Sequence, residues 1–350
     1  MEFLGNHILS IDQFDKDDIV KVFSIAEKMI PYANREKKTR VLQGAILSNM
    51  FFEASTRTRI SFGSAFNLLG GEVRETTGIE ASSLAKGESL YDTARVLSGY
   101  SDLIVMRHPE KNSVQEFSEA SRVPVINAGD GENEHPSQAL LDLFTIKLEL
   151  ESKGKSIDGS NIALVGDLKF GRAVHSLCKA LNLFENISFN LISPEQLKLP
   201  PEIRQDLVYN GMKINEFNSI ESGIGDVDII YVTRVQEERF DSPKEANKYK
   251  GLLKLNQNIY TENCEPNTVI MHPLPRDSRP DANELDTDMN ENPNLAIYRQ
   301  TDNGLLVRMA LISLILGVDQ TLSDYDEDIS WVSSKKSNWL LEDRSKKLYI

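Results

Sequence analysis

Along the chain, short runs of consecutive apolar residues are separated by stretches in which apolar positions recur every three or four residues. This alternation is the pattern of parallel sheets covered by helices. In the first half, AILSNMFF (45–52), DLIVMRH (102–108) and VPVINAG (123–129) predict strands, while TRTRISFGSAFNLLG (56–70) and ESLYDTARVLSGY (88–100) carry helical spacing. HPSQALLDLFTIKLELESKG (135–154) predicts a long helix with its proline in the first turn, where no helical hydrogen bond is lost, and it is a good connector between domains. A second set of strands follows at NIALVGD (161–167), ISFNLIS (187–193), DVDIIYVTR (226–234) and NTVIMHPL (267–274), with GRAVHSLCKALNLF (171–184) as a covering helix. NGLLVRMALISLILG (303–317) is apolar on almost every side and predicts a buried helix. The expected fold class is α/β: two doubly wound domains, each with a parallel sheet flanked by helices, joined by long helices.

Length supports that division, because 350 residues exceed one ordinary core and suit two domains of about 150 residues each. A net charge of -14 with no basic stripe argues against a nucleic-acid partner. It also means that anionic substrates have to be drawn in by a local cluster of Arg and Lys acting against the overall field. The N-terminal MEFLGNHILSIDQF has no charged region followed by a long apolar run, and no stretch of 18 apolar residues occurs. Neither export nor a membrane partner is expected, and the cytoplasm is the expected compartment. Cys178 and Cys264 stand far apart and outside any CxxC pattern, as ordinary thiols in a reducing compartment do, and they offer no zinc site.

Candidate chemistry begins at FFEASTRTR (51–59), where an apolar strand runs into Ser55, Thr56, Arg57, Thr58 and Arg59 as a helix starts. Outward N–H groups, hydroxyls and an Arg fork together suit a phosphate, although the same segment taken alone is equally a capping Ser/Thr followed by solvated arginines. SSLAKGES (82–89) places Lys86 beside a glycine in a polar loop, where a lysine is usually solvated. Arg107 and His108 end one predicted strand, and His135 and Gln138 open the connector helix. A histidine there is biased toward its neutral, hydrogen-bond-donating form, unless it is simply a satisfied structural imidazole. LVGDLKFGR (164–172) has only Gly166 and Gly171, so the spacing of a dinucleotide loop is missing. Arg172, and Arg234 with Gln236, again fall at strand ends, where they suit substrate carboxylates. HPLPR (272–276) has two prolines that hold backbone carbonyls in place as acceptors. HExxH, Cys/His clusters, GxSxG and a Walker loop are all absent from the sequence. What remains is direct attack on a bound, activated carbonyl with phosphate leaving, accelerated by positioning and electrostatics.

In order and spacing, STRTR, the KGES loop, VMRHPE, NAGDGENEHPSQALLDLFTI, VGDLKFGRAVHSL, TRVQEER and HPLPR resemble the aspartate carbamoyltransferase family over about residues 5–318. The resemblance implies a carbamoyl-phosphate domain (1–136 plus 300–318), an aspartate domain (137–299) and no metal or organic cofactor. It also implies a homotrimer with sites at subunit boundaries. By the same resemblance Ser55, Thr56, Arg57 and Thr58 would hold the phosphate, and Thr58, Arg107 and His135 would polarise the carbamoyl oxygen. Gln138 would bind the carbamoyl nitrogen; Ser82 and Lys86 would come from the adjacent subunit; Arg172, Arg234 and Gln236 would grip aspartate; backbone oxygens of Leu274 and Pro275 would orient the reacting groups. Where some members have two lysines before the loop glycine, this chain has Ala85 and Lys86. TRVQEER and RHPE resemble the subgroup that associates with zinc-containing regulatory chains.

The nearest rival is ornithine carbamoyltransferase. That family typically carries Lys where Glu53 stands and HCLP where this chain has HPLP, and Arg234 with Gln236 suits a second carboxylate better than a cationic side chain. A non-catalytic paralogue that binds carbamoyl phosphate would be expected to have lost a site residue, and none of the matched positions is lost. The mixed-charge segment 319–350 has no counterpart in the family pattern. It holds both tryptophans, Trp331 and Trp339, through which it is expected to pack on its own trimer.

Overall fold

The apolar run ahead of STRTR becomes the strand Ile46–Phe51, buried at five of its six positions and lying inside a four-stranded parallel sheet. The order across this sheet is Glu72–Thr77, Ile46–Phe51, Leu103–His108, Val125–Asp130. The second sheet has five parallel strands in the order Val269–Met271, Ile229–Thr233, Asn161–Gly166, Ser188–Ile192, Lys213–Phe217. The computed structural model describes residues 1–79 and 83–331. In it the first sheet belongs to a unit formed by Met1–Leu140 with the chain from Asp302, and the second to a unit formed by Leu141–Thr301.

The α/β class with parallel sheets flanked by helices is as the sequence predicts. The predicted strands all form, and each sheet also has an edge strand that the hydrophobic pattern does not announce. Glu72–Thr77 and Lys213–Phe217 contain no fully buried residue, so their sequences keep the polar, charged character of an edge that faces water. The connector helix begins at its proline, Pro136–Glu151, and the last long helix is Ile297–Ile315, starting six residues earlier than its apolar run suggests. The chain passes from one unit to the other inside these two helices, between Leu140 and Leu141 and between Thr301 and Asp302.

Residues 319–327 fold back on the first unit. Asp326–Glu327 pairs antiparallel with Lys38–Thr39, and Thr39 Oγ1 donates to the Leu322 carbonyl at 3.1 Å. Leu322 is buried, Tyr32 donates to Asp326 at 2.6 Å, and Lys37, Lys38 and Arg40 pair with Asp326 or Glu327 at 2.8–2.9 Å. Docking therefore uses a leucine, two backbone strands and a carboxylate pair. Within this chain Trp331 is 56% exposed, and Trp339 lies outside the described residues. Because exposed ion pairs contribute little, the docking is worth about 2–3 kcal/mol, mostly from the buried leucine. Truncation after Val318 should lower the melting temperature by several degrees. Circular dichroism is the suitable probe, since both tryptophans are removed; an unchanged melting curve would show the docked segment to be energetically idle.

Candidate functional site

In open parallel sheets, ligands collect beyond the C-terminal strand ends, where the strand order reverses. In the first unit the chain lays Glu72–Thr77 on one side of Ile46–Phe51 and then Leu103–His108 on the other. The reversal therefore falls between Ile46–Phe51 and Leu103–His108, and Phe51 is the register partner of Arg107 there. The register of Leu103–His108 against Val125–Asp130 also slips between Met106 and His108, placing Arg107 at an irregularity that re-aims its side chain.

Ser55 sits before the helix Thr56–Leu68 with extended backbone and makes no side-chain capping bond, and the first turn contains no acidic residue. Ser55 therefore does not act as a capping side chain, and the N–H groups and positive end of this 13-residue helix have no cap from it, an arrangement that suits an anion. The two arginines have separate duties. Arg59 is tied to Glu75 at 2.5 Å, and Asn49 bridges the Arg59 carbonyl and Glu75, whereas Arg57 is exposed on the first turn beside the buried Thr58. Arg107 donates to Glu53 at 2.8 Å, so the acidic residue just before STRTR positions the guanidinium that ends the neighbouring strand. His108 is structural. Its Nδ1 accepts the Glu110 N–H at 3.1 Å, and burial lowers its pKa, keeping the ring neutral.

His135 is buried directly ahead of the helix Pro136–Glu151. The loop that delivers it is built around Asp130, whose carboxylate accepts from Asn112 N, Asn127 Nδ2, Asn133 Nδ2 and Glu134 N at 2.9–3.1 Å. Gln138 lies in the first helical turn, its N–H bonded to the His135 carbonyl. Lys86 is exposed at the end of the short 3-10 turn Ser83–Lys86, next to Gly87 at φ +85°. Ser82 lies outside the described residues.

The second unit repeats the logic. Its order reverses between Asn161–Gly166 and Ile229–Thr233, whose last residues, Gly166 and Thr233, are register partners. A Cβ on Gly166 would stand 2.1 Å from the Thr233 carbonyl oxygen, so only glycine fits the crossing. Asp167 follows and is fully buried. One of its oxygens accepts the Phe170 N–H and the other the Gln236 N–H, both at 3.0 Å, fastening the loop before Arg172 to the loop after Arg234. Burial raises the Asp167 pKa, with bonds from the Gln236, Phe170 and Lys169 backbones acting the other way. Arg234 is held by Glu238 at 2.6 Å and by the Val235 carbonyl. Burial opposes its charge, but the Glu238 contact prevails and raises its pKa. Arg172 is the first residue of the helix Arg172–Leu181. Leu274 and Pro275 form a cis turn with Leu274 at φ +53°.

Residues 6–148 match the carbamoyl-P binding domain of the aspartate/ornithine carbamoyltransferases, and residues 158–315 match their Asp/Orn binding domain. This chain belongs to the aspartate/ornithine carbamoyltransferase family. It is 63% identical over 335 residues to the aspartate carbamoyltransferase catalytic subunit of Saccharophagus degradans, covering 96% of this chain and 99% of that one. With the catalytic subunit of Cellvibrio japonicus it shares 62% identity, covering 97% and 100%. Among solved structures, aspartate transcarbamoylase from Trypanosoma cruzi in complex with N-(phosphonacetyl)-L-aspartic acid superimposes with a TM-score of 0.82 at 36% identity, covering 90% of this chain and 97% of that one.

Within the family's two-domain frame, the first unit brings Ser55, Thr56, Arg57, Thr58 and Arg107 to one switch point, and the second brings Arg172, Arg234 and Gln236 to the other. The sequence reading of the site omits Asp167 and Glu53 as positioning groups. The available signal was an aspartate placed directly after a wholly apolar strand, VGD, where an unpartnered carboxylate would be costly.

Proposed function

We propose that this chain is an aspartate carbamoyltransferase catalytic subunit, converting carbamoyl phosphate and L-aspartate to N-carbamoyl-L-aspartate and phosphate, an early step of pyrimidine biosynthesis. The observation that carries the reading is the second switch point. There a buried aspartate fixes the loops of Arg172, Arg234 and Gln236 together, as a dicarboxylate requires and a cationic amino acid does not.

In this reading the first unit binds carbamoyl phosphate, with the phosphate on the Ser55–Thr58 N–H groups, the hydroxyls and Arg57. Thr58, Arg107 and His135 polarise the carbamoyl oxygen, and Gln138 takes the carbamoyl nitrogen. The second unit grips aspartate through Arg172, Arg234 and Gln236, with the Leu274 and Pro275 carbonyls as acceptors for the carbamoyl and amino groups. The free amine attacks the carbamoyl carbon and a tetrahedral oxyanion forms. The C–O bond to phosphate then breaks, and the departing phosphate takes the amine proton. Rate acceleration comes from donors aimed at the developing oxyanion and from holding the two reactants together. The domain assignment is 1–136 with 300–318 for carbamoyl phosphate and 137–299 for aspartate, followed by the extension 319–350.

Further parts of the reading are a cytoplasmic homotrimer whose sites borrow Ser82 and Lys86 from the neighbouring subunit, with zinc-containing regulatory chains as candidate partners. The exposure of Lys86 on a short turn, apart from the strand ends that carry the other groups, supports a borrowed lysine. Mixing Arg57→Ala and Lys86→Gln trimers should restore measurable activity, because some hybrid boundaries carry neither lesion. Absence of recovery despite demonstrated subunit exchange would point to a self-contained site.

The deciding assay supplies carbamoyl phosphate with either L-aspartate or L-ornithine, chelator present, and quantifies carbamoylated product and released phosphate together. Product with aspartate alone is expected. Product with ornithine alone would overturn the assignment of Arg234 and Gln236, and product with neither would favour a non-catalytic carbamoyl-phosphate-binding paralogue.

A further inference from the structure

The turn bearing Leu274 and Pro275 has an unfavourable backbone, since Leu274 adopts φ +53°, a region that branched and bulky side chains avoid. Something has to hold it, and the holder lies ten residues further along the chain. Glu284 is 5% exposed and His272 1% exposed, and the two meet at 2.7 Å through His272 Nε2 and Glu284 Oε1.

The hydrogen-bond pattern fixes every proton. Leu274 N–H donates to His272 Nδ1 at 2.8 Å, so Nδ1 carries no hydrogen, and Nε2–H is therefore the donor to Glu284. The same Oε1 is the nearer acceptor of the Asp277 N–H, at 3.1 Å against 3.3 Å for Oε2. One carboxylate oxygen thus grips the turn on both sides, through the imidazole before it and directly after it. Gln300 holds the other end of His272 by accepting its N–H at 3.0 Å. Gln300 Nε2 in turn donates to Asp142 Oδ1 at 2.6 Å, and Tyr231 donates to Asp142 Oδ2 at 2.6 Å. Gln300, Asp142 and Tyr231 are all 1% exposed or less, so the chain of bonds is anchored in the core of the second unit. A fully satisfied buried network of this kind specifies a single geometry.

We propose that Glu284 is a positioning residue whose Oε1 sets the Leu274–Pro275 turn, and through it the two carbonyl acceptors that orient the reacting groups. This deepens the proposed aspartate carbamoyltransferase reading and rests on it. The feature that matters is the location of one acceptor oxygen, and the charge is secondary. The prediction is therefore an unusual ranking of variants. Glu284→Gln keeps an oxygen able to accept from both His272 and Asp277. Glu284→Asp keeps the charge but withdraws the carboxylate by about one bond length, roughly 1.5 Å.

The test compares wild type with Glu284→Gln, Glu284→Asp and Glu284→Ala by steady-state kinetics with both substrates varied, and by amide hydrogen exchange at Leu274 and Asp277. Glu284→Gln should stay within about threefold of wild type. Glu284→Asp and Glu284→Ala should lose about tenfold or more in kcat, as expected for buried donors left without an acceptor. Inhibition by phosphate, assigned to the first unit, should hold in all three, whereas the KM for carbamoyl phosphate should rise only in the Asp and Ala variants, which displace the Leu274 and Pro275 acceptors. Exchange at Leu274 and Asp277 should quicken only in the Asp and Ala variants. Activity retained by Asp and lost by Gln would overturn the proposal in favour of a charge effect on the neighbouring Arg234. Equal loss in Gln and Asp would overturn it as well. Should Glu284→Ala fail to fold, the Gln and Asp pair still decides. The exchange measurement needs no turnover, so a wild-type protein inactive toward aspartate would sink the functional reading while leaving the grip on the turn separately measurable.

Discussion

Arg107→Ala is expected to lower kcat by about 100- to 1000-fold, the usual cost of removing one donor aimed at a developing oxyanion. The side chain ends the strand that borders the first switch point and is presented from the register slip after Met106. Glu53 holds it at 2.8 Å, with both partners at 20% exposure or less, so it is aimed before any ligand arrives. The KM for aspartate should change little, because that substrate is assigned to the second unit. Arg107→Lys should recover only a small part of the activity, since an ammonium keeps the charge but loses the planar fork that pairs with Glu53 and with a ligand oxygen together. Activity of the alanine variant within a few-fold of wild type would remove Arg107 from the catalytic set.

Asp167→Ala should be at least as damaging, and through the other substrate. Its two oxygens are the acceptors for the Phe170 and Gln236 N–H groups, and its loss leaves two half-buried donors unpaired at up to about 1–3 kcal/mol each. The loops of Arg172 and of Arg234 and Gln236 then lose their common anchor. We expect the KM for aspartate to rise, kcat to fall, and their ratio to drop by roughly a hundred- to a thousandfold, taking the two penalties together. Asp167→Asn should not rescue, because an amide has one acceptor oxygen and would turn its NH2 group toward one of the two N–H donors. Inhibition by phosphate, which reports the first unit, should be unchanged. The idea fails if the aspartate KM of Asp167→Ala is normal, or if phosphate inhibition is lost in parallel.

The prediction for Asp167 and the proposal for Glu284 concern buried carboxylates whose partners no sequence pattern names, even where, as at VGD, the position hints at burial. In the sequence, DLKFGR and NELDTD look like ordinary polar connections. Burial of a carboxylate and the N–H groups converging on it come from segments far apart: Gln236 lies 69 residues after Asp167. Arg59 teaches the same lesson in reverse. It stands two residues from Arg57 in one motif, yet Glu75 on the edge strand claims it, and that strand was itself hidden because its exposed sequence shows no apolar run.

What the sequence determined by itself was local. Apolar runs and helical spacing are set by each segment's need to bury one face, so the inner strands, the connector helix beginning at Pro136 and the placement of STRTR, Arg107, Arg172 and Arg234 at element ends could be read from the chain. What only the tertiary structure decided was adjacency. Parallel strands pair across long crossovers, so nothing local states that Phe51 lies beside Arg107 or Gly166 beside Thr233. The switch points, the docking of Asp326–Glu327 against Lys38–Thr39, and the hold of Glu284 on the Leu274–Pro275 turn all follow from those distant pairings. Their physical reason is shared: a polar group withdrawn from water is stable only where the fold delivers its partner.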